Sequence, residues 1–548
     1  MYFRKKQSEG RIYLQIVESA RDGEKVRQHV IATLGRLDEL ETSGQLERLL
    51  KSGARFAQEA MVVAASRNGE AVQVAVRRIG PALVFERLWE ETGIKGVLEG
   101  FAADGGHKFA LERAVFVTAL HRLMTSGSDL SADRWKEDYR IAGAEAIALH
   151  HLYRAMAWLG EELPNHEQDG ATLVPRCRKD AIEERLFQER RDLFSRLDLV
   201  FMDTTSLYFE GQGGQSLGAY GHSKDYRPHL KQMILAVLID GAGNPVCTEM
   251  WPGNTADVTT LVPVIDRLRK RFAIERVCVV ADRGMISEET VAELEARGLS
   301  YILGVRERNN TLVRDLVLAD KAPFVPLTLE RHRKEIDYGA KVVTLAGRRY
   351  IVCINHQEAE HDAAEREAIL KSLRRDLKKG AKALVGNTGY RRYLKTGGKD
   401  ALAIDEARVK QDEKFDGIFV LRTNTALNPL QAMLRYKQLW TIEQTFRTTK
   451  HLFTTRPIFH KLDETIRGHV FCSFLALVLK KALEDKLAAV GAKCTWSEVL
   501  ADLDSLAETE IEHEQKRFVL RASPRPAASL ALKAAVVALP PTVQPILA

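Results

Sequence analysis

The segment between residues 199 and 307 constrains the fold more than any other part of the sequence. Its short apolar runs, rich in β-branched and aromatic residues, predict five strands, at residues 199–209, 231–240, 244–253, 276–282 and 301–307. Between the last three strands, helical spacing of apolar residues predicts helices over 257–272 and 287–298. The predicted order is therefore three strands, a helix, a strand, a helix and a strand.

This order of elements is that of a ribonuclease-H-like core. The first three strands are expected to pair antiparallel, and the fourth is expected to lie beside the first. The predicted fold class is therefore α/β: a ribonuclease-H-like mixed-sheet core, with an inserted mixed, β-containing domain and a mainly helical N-terminal domain.

Changes in periodicity along the chain predict the segment boundaries. Alternating apolar and polar residues around the turn at Arg21-Asp22-Gly23 predict a hairpin from Ile12 to Leu34, and helical spacing predicts helices from about Pro81 to Arg196. The predicted segments are an N-terminal hairpin (1–36), a helical domain (37–196), the first part of the core (197–308), an inserted domain (309–415), the second part of the core (416–490) and a C-terminal tail (491–548).

Length and composition are those of a globular protein with several domains. The chain has 548 residues, which exceeds the usual size of one domain. Apolar residues make up 45% and charged residues 28%, so wholesale disorder is excluded. Lys and Arg number 81 against 74 acids, a formal charge of +7 that is compatible with nucleic-acid binding but does not require it.

The sequence predicts no disulfide framework, zinc ribbon or membrane span. Its six cysteines are scattered without a C-x-x-C pair and are expected to be buried thiols of a protein in the reducing cytoplasm. The first residues, MYFRKKQSEGR, lack the apolar core of a signal peptide. The longest apolar stretch, Val470 to Leu479, ends at Lys480 and Lys481 and is too short to cross a bilayer.

Two aspartates each follow an apolar run in the strands of the predicted core. Asp203 lies in the first strand and Asp282 ends the fourth. A single Asp in such a place is usually a turn former or a helix cap. Because the two strands are expected to be neighbours, both carboxylates should lie close together, where they stay ionised only with a cation between them. A divalent ion with oxygen ligands is the natural partner.

A third carboxylate, Glu443, lies in the predicted helix YKQLWTIEQTFRTTK. Tyr436, Glu443 and Lys450 are spaced by seven residues and therefore share one helical stripe, with Arg447 beside it. This stripe is either an exposed helix face with an ordinary Glu443–Arg447 pair or a polar face that serves a site.

Two basic segments can either contact DNA or be solvated surface. One is the loop between the first two strands, and the other is the run from Lys371 to Lys399, which holds ten Lys or Arg and one acid. The candidates for DNA contact in these segments are Lys224, Arg227, Lys231, Lys378, Lys379 and Lys382. His222 and His229 of the first loop are not expected to bind metal, because Mg²⁺ prefers oxygen ligands.

At the carboxylates and the helical stripe the sequence resembles the DDE transposases of bacterial insertion sequences, in the group with a Tyr-x2-Arg-x3-Glu-x6-Lys motif. The resemblance covers roughly Leu199 to Leu479. Asp203, Asp282 in ADRGMIS and Glu443 match the three acidic residues, and Tyr436 and Lys450 match the Tyr and Lys. Leu439 stands where the motif has Arg, and Arg447 can supply the missing phosphate contact from the next turn.

The resemblance implies cleavage and strand transfer with two Mg²⁺ ions held by the three carboxylates, for which Mn²⁺ can substitute. Tyr436 and Lys450 would hold a phosphate at the DNA end. The resemblance further implies a homodimer on paired DNA ends, with the helical domain and the insertion recognising terminal inverted repeats.

Some relatives stack a flipped base on a Trp of the insertion. This insertion has no Trp, and the residues that could stack instead are Tyr338, Tyr350, Tyr390 and Tyr393. Two alternatives to a transposase remain: a ribonuclease-H-like nuclease that never joins strands, and a domesticated, inactive DNA-binding protein.

Overall fold

The computed structural model divides the chain into two compact units. One contains Met1–Arg78, Leu506–Ser523 and Leu539–Ala548, and the other contains Ile79–Ser505 and Pro524–Ala538. The structure describes residues 2–8, 10–22, 25–43, 45–46, 49, 73–103, 105–168, 174–190, 199–221, 229–272, 277–281, 287–305, 311, 313–331, 334–345, 347–377, 392–396, 402–438, 458–513 and 516–546.

The strands are numbered along the chain: β1 (Tyr2–Ser8), β2 (Arg11–Asp22), β3 (Lys25–Arg36), β4 (Gln73–Arg78), β5 (Leu199–Tyr208), β6 (Gln232–Asp240), β7 (Pro245–Pro252), β8 (Cys278–Ala281), β9 (Ser300–Val305), β10 (Val325–Arg331), β11 (Lys334–Leu345), β12 (Arg348–Asn355), β13 (Leu394–Thr396), β14 (Leu402–Ile404), β15 (Ile418–Thr423), β16 (Ala507–His513), β17 (Lys516–Arg521) and β18 (Val543–Ile546).

The α-helices are α1 (Leu37–Thr42), α2 (Gly80–Glu91), α3 (Ile94–Ala103), α4 (Leu111–Met124), α5 (Asp129–Trp135), α6 (Leu149–Gly160), α7 (Arg178–Arg190), α8 (Asp257–Phe272), α9 (Glu288–Ala296), α10 (His356–Leu377), α11 (Glu406–Glu413), α12 (429–438), α13 (Asp463–Ala489), α14 (Trp496–Asp504) and α15 (Pro526–Ala534).

The first unit contains two antiparallel sheets. One has the order β1-β2-β3, so β2 and β3 form the hairpin that the alternating pattern predicts. The other has the order β18-β17-β16-β4. Residues 491–548, which the sequence left as a tail, therefore supply three strands. Ile511 of β16 and Val519 of β17 are buried, and this apolar burial explains why the segment is ordered into a sheet.

The second unit is built on a nine-stranded mixed sheet with the order β10-β11-β12-β15-β9-β8-β5-β6-β7. β8 pairs in parallel with β5 and β9, and the other neighbours are antiparallel. Counted from β5, five strands at one end follow the order 3-2-1-4-5. The order of strands and helices predicted for residues 199–307 is confirmed, as is the neighbouring position of the first and fourth strands.

Helices α8 and α9 cover one face of these five strands. Leu261 and Leu268 of α8 and Leu294 of α9 pack with Ile234 of β6 and Val279 of β8 in one buried apolar cluster. Full burial of each such side chain contributes about 1.5–3 kcal/mol. This packing fixes β6 and β8, the two strands that flank β5 in the sheet.

Helix α13 lies at the centre of the helical part of this unit. Its residues from Val470 to Leu479 are all buried, and it packs against α4 and α6. The α6 and α13 backbones touch at Gly468, where an added Cβ would clash with the carbonyl oxygen of Met156. Among the described residues, no helix is long and apolar enough to cross a membrane.

A network of buried charges joins α7 to α8 and β7. Arg271 of α8 donates to Glu249 on β7 at 3.0 Å, to Glu183 at 2.7 Å and to Glu184 at 2.8 Å. Asp180 accepts from Arg267 at 2.9 Å and from Lys179 at 2.6 Å. Because unpaired buried charges are costly, this network fixes α7 against the core sheet.

Among the described strands of the inserted region, β10, β11 and β12 join the core sheet, whereas β13 and β14 pair as a separate two-stranded sheet. β10, β11 and β12 extend the core sheet, because β12 pairs with β15 from Arg349 to Ile354. Val343 of β11 and Val420 of β15 belong to one buried apolar cluster together with apolar side chains of β12. A smaller cluster of Leu370, Tyr393 and others joins α10, α11 and the β13–β14 hairpin. The insertion is thus partly a continuation of the core.

All six cysteines are free thiols. Five are buried, as predicted, whereas Cys494 is half-buried. Burial raises the pKa of Cys177 to about 12 and that of Cys278 to about 11, so both thiols stay protonated and unreactive at neutral pH.

The stability of the second unit should rise with pH because of His121 on α4. Desolvation, and then the nearby charge of Arg122, lowers the pKa of His121 to about 4. The unfolded chain therefore binds one more proton than the folded chain between about pH 4 and 6.5, and the free energy of unfolding should rise there by up to about 1.4 kcal/mol per pH unit. His121→Leu should make this slope shallower in denaturant unfolding at several pH values. An unchanged slope would show that His121 does not titrate as proposed.

Candidate active site

The parallel pairing of β5 and β8 places the two strands of the predicted aspartates side by side. Leu199 pairs with Cys278, Val200 with Val279, and Phe201 with Val280. Asp203 lies two residues further along β5, where its other neighbour is Val237 of β6. β8 ends at Ala281, the residue before Asp282. The described backbone therefore confirms the neighbouring strands on which the site hypothesis depends.

Several predicted site residues lie outside the described residues. These are Asp282, Glu443, Arg447, Lys450, Lys224, Arg227, Lys378, Lys379 and Lys382, together with His222 and Tyr390. For Asp203 the structure describes the strand position alone. The roles predicted for these residues stay predictions.

Tyr436 on α12 packs against the edge at which the parallel strands end. Its hydroxyl faces Gly304 of β9, where an added Cβ would clash with it. The preceding residue of β9, Leu303, pairs with Ala281 at the end of β8. Helix α12 therefore approaches the sheet beside the strand end that precedes Asp282. The spacing pattern predicted the helix, but it gave no sign of Gly304 as its contact.

Gly304→Ala should destabilise the second unit, because the new methyl group and the Tyr436 hydroxyl cannot occupy the same space. Overpacking of this kind costs about 1–3 kcal/mol. In Gly304→Ala/Tyr436→Phe the nearest ring atom, Cζ, would lie 3.0 Å from the added Cβ, so most of the stability should return. Thermal unfolding of the wild type, both single variants and the double variant tests this. If Tyr436→Phe restores nothing, the contact is not the cause.

The glycine-rich loop after β5 is held by Asp463, the first residue of α13. The Asp463 carboxylate accepts from the backbone N–H of Gln215 at 2.9 Å, and from the N–H and Oγ of Ser216 at 3.0 and 2.6 Å. These bonds fix the loop that leads towards the predicted basic residues. Asp463 could not be predicted from the sequence, because its partners include backbone groups far away in the chain.

The residues around the start of β6 are fixed as well. The carbonyl of Lys231, which is half-buried, accepts from the backbone N–H of Phe209 at 2.8 Å. His229 is exposed. Ile458 pairs in parallel with Phe209, so the chain that returns from residues 439–457 runs beside the end of β5.

Helix α9 is held by two arginines, one on β15 and one on β12. Arg422 of β15 donates to Glu288 at 2.8 and 3.2 Å, and Arg348 of β12 donates to Glu288 at 2.8 Å. The hydrogen bond from Arg422 lowers the pKa of Glu288. Because α9 begins at Glu288, these contacts fix the first described residues after Asp282.

Three of the tyrosines considered for base stacking are unsuited to that role. Tyr338, Tyr350 and Tyr393 are at most 4% exposed, so none offers a ring face to a base. Tyr350 and Tyr393 fill apolar clusters, and the Lys437 ammonium lies 3.6 Å from the ring centre of Tyr338. Their burial corrects the expectation that they stack a flipped base.

Two family models match the chain. Residues 195–479, more than half of the chain, match the transposase DDE domain, and residues 3–67 match the N-terminal domain of IS1634 family transposases. No curated protein gives a significant match.

Two solved transposase structures match the chain at low sequence identity. One is the piggyBac transposase synaptic complex with hairpin DNA, at 10% identity and a TM-score of 0.33, with 77% of this chain and 79% of that chain covered. Another is the Mos1 transposase paired-end complex with left transposon end, at 13% identity and a TM-score of 0.14, with 36% and 60% covered.

Proposed function

This chain belongs to the DDE transposases of insertion sequences, and we propose that it binds the ends of its element, cleaves the phosphodiester backbone there and transfers the 3′-hydroxyl end into target DNA. We further propose that its core is ribonuclease-H-like and that it acts in the bacterial cytoplasm, as a homodimer on paired DNA ends with inverted repeats.

The strand register carries the assignment of the active site. Phe201 of β5 pairs with Val280 of β8, and Asp203 and Asp282 each lie two residues after a member of this pair. We propose that Glu443, which follows Tyr436 by two helical turns, completes the set. The contact of Tyr436 with Gly304 supports this, because it brings α12 to the same sheet edge.

The three proposed carboxylates form an all-oxygen donor set, which fits Mg²⁺ better than a soft metal. Asp203, Asp282 and Glu443 would hold the metal. When bound, two Mg²⁺ ions, or Mn²⁺ in their place, would activate the attacking oxygen and neutralise the charge that develops on the phosphate.

Basic and phenolic groups would position the DNA in this proposal. Tyr436, Arg447 and Lys450 would hold the phosphate at the DNA end. Lys224, Arg227 and Lys231 would contact the backbone from the loop beside β5 and β6, and the insertion would contribute Lys378, Lys379 and Lys382. Such contacts supply most of the affinity for DNA but carry little sequence information.

Replacing Lys378, Lys379 and Lys382 together with Gln should weaken DNA binding and make it less dependent on salt. Each lost phosphate contact lowers the slope of log affinity against log salt by about 0.9, so three contacts lower it by almost three units. Fluorescence anisotropy of an end-bearing duplex at several salt concentrations measures this slope. A triple variant with the wild-type slope would show that this run is solvated surface.

A joining assay separates the proposed function from its alternatives. A labelled duplex from the DNA that flanks the reading frame is incubated with the protein, a supercoiled plasmid and Mg²⁺. A transposase should cut the duplex at the element's end and join the new 3′-hydroxyl to the plasmid. Cutting without joining would favour a nuclease, and binding without cutting would favour an inactive DNA-binding protein.

A further inference from the structure

A cluster of polar side chains lies buried among α4, α5 and α13, and the proposed reaction does not use it directly. Arg122 of α4 and Asp129 of α5 are fully buried, with Nη2 and Oδ1 3.0 Å apart. Arg122 Nη1 also donates to the backbone carbonyl of His469 at 2.8 Å and to Ser473 Oγ at 3.1 Å. One guanidinium therefore ties α4 and α5 to the start of α13.

His460 approaches this cluster from outside the three helices. Its Nε2 lies 3.1 Å from Asp129 Oδ2 and 3.1 Å from His469 Nδ1. The contact with Asp129 is close but lacks hydrogen-bond geometry, whereas the contact with His469 is a hydrogen bond. Arg122 Nη2, which can only donate, lies 2.9 Å from His469 Nδ1, so this nitrogen is an acceptor and His460 Nε2 carries the donating N–H. His460 thus donates to His469 and lies beside the Asp129 carboxylate.

The three side chains Asp129, His460 and His469 are close enough to share a metal ion, but the neighbouring arginine opposes it. The Arg122 guanidinium already lies within hydrogen-bond distance of Asp129 and His469 and neutralises the carboxylate. A divalent cation would have to approach this fixed positive charge in a buried setting, where repulsion is strong. The cluster therefore fits a hydrogen-bonded anchor better than a metal site.

His460 follows closely after the segment that contains Glu443, so the buried cluster is attached to one end of that segment. Residues 439–457, which include Glu443, are preceded by α12, whose Tyr436 packs on Gly304. They are followed by Ile458, which pairs with Phe209 directly after β5, and two residues later by His460. Both flanks of the segment with Glu443 are thus attached to the rest of the unit.

We propose that His460 is a positioning residue for the transposition chemistry: its Nε2–H, bound to His469 Nδ1 beside Asp129, fixes the returning chain and thereby the placement of Glu443. The inference rests on the proposed function, since it assigns Glu443 to the active site. Side chains that hold a reacting group in place matter strongly, because a misplacement of about 1 Å can cost on the order of 100-fold in rate.

A matched pair of amide variants tests the proposal. In His460→Gln the amide nitrogen can take the place of Nε2 and donate to His469 Nδ1, whereas in His460→Asn the side chain is one methylene shorter and cannot reach it. We expect His460→Gln to cleave flanking-DNA duplex in Mg²⁺ at close to the wild-type rate. His460→Asn should be at least about tenfold slower at saturating DNA, with affinity for DNA and melting temperature close to those of His460→Gln.

Hydrogen exchange of the peptides that cover residues 439–457 provides a readout that does not depend on catalysis. We expect faster exchange in His460→Asn than in the wild type or His460→Gln. Equal exchange in all three, or equal cleavage by the two variants, would overturn the positioning role. A transition-metal ion bound stoichiometrically by the wild type and lost in His460→Asn would also overturn it. A wild type that never cleaves would contradict the proposed function itself, while the exchange comparison would still decide the role of His460.

Discussion

Asp282→Ala should slow cleavage of end-bearing DNA by at least about 100-fold, while its affinity for that DNA stays within about twofold of wild type. In other active sites, removal of one preorganised group that stabilises charge slows the reaction by about this factor. Removal of a metal ligand should slow it at least as much. Carboxylates that hold metal contribute little to DNA affinity, since basic side chains meet the phosphates. Asp203→Ala should behave in the same way, because the register places both residues equally far beyond the Phe201–Val280 pair.

Gel-resolved cleavage and fluorescence anisotropy, run on the same duplex, measure the two quantities. Asp240→Ala is the matched control, because Asp240 accepts from the backbone N–H groups of Ala242 and Asn244 in a turn and has no part in the proposed site. It should cleave normally. Near wild-type cleavage by Asp282→Ala would remove that residue from the site.

Arg271→Ala should lower the free energy of unfolding of the second unit by about 3–5 kcal/mol. This is the usual cost of removing one partner from a buried ion network, because the remaining charges stay buried without compensation. The variant would leave Glu183 and Glu249 without their shared guanidinium. Desolvation already raises the pKa of Glu183 in the intact network.

The sign of the pH dependence is a second test of this network. Buried carboxylates that lose their cation have a raised pKa in the folded state, so the folded variant binds more protons than the unfolded chain. Relative to wild type, its stability should therefore fall as pH rises, so that its deficit is larger at pH 8 than at pH 5. Urea unfolding followed by circular dichroism measures it, with the exposed Lys270→Ala on the same helix as control. A deficit below about 1 kcal/mol, the range of exposed pairs, would contradict the account.

The core from β5 to β9 could be predicted from the sequence because each element has a strong local signal. Alternating or continuous apolar runs mark the strands, and Ser287 caps α9 where the sequence places the helix start. The same reasoning located Asp203 on β5 beside the strand that precedes Asp282. These are features of single strands and helices, and they need no knowledge of distant contacts.

The features that the sequence did not reveal depend on long-range contacts. β12 joins the core sheet through β15, and β16 pairs with β4, so local sequence patterns reveal neither pairing. Gly304 and Asp463 act through partners more than 100 residues away in the chain, and His460 lies against Asp129, which is equally distant in sequence. The stacking role considered for Tyr338 failed for a similar reason, since burial of a tyrosine depends on what packs over it.

The most direct test of the central claim is the rate of DNA cleavage by Asp282→Cys in Mg²⁺ and in Mn²⁺. A thiolate is a softer ligand than a carboxylate and favours Mn²⁺ over Mg²⁺, so the metal requirement should change only if residue 282 binds the ion. We expect almost no cleavage by Asp282→Cys in Mg²⁺ and partial recovery in Mn²⁺, while Asp240→Cys behaves as wild type in both. Equal activity of Asp282→Cys in the two metals would contradict a metal site at Asp282.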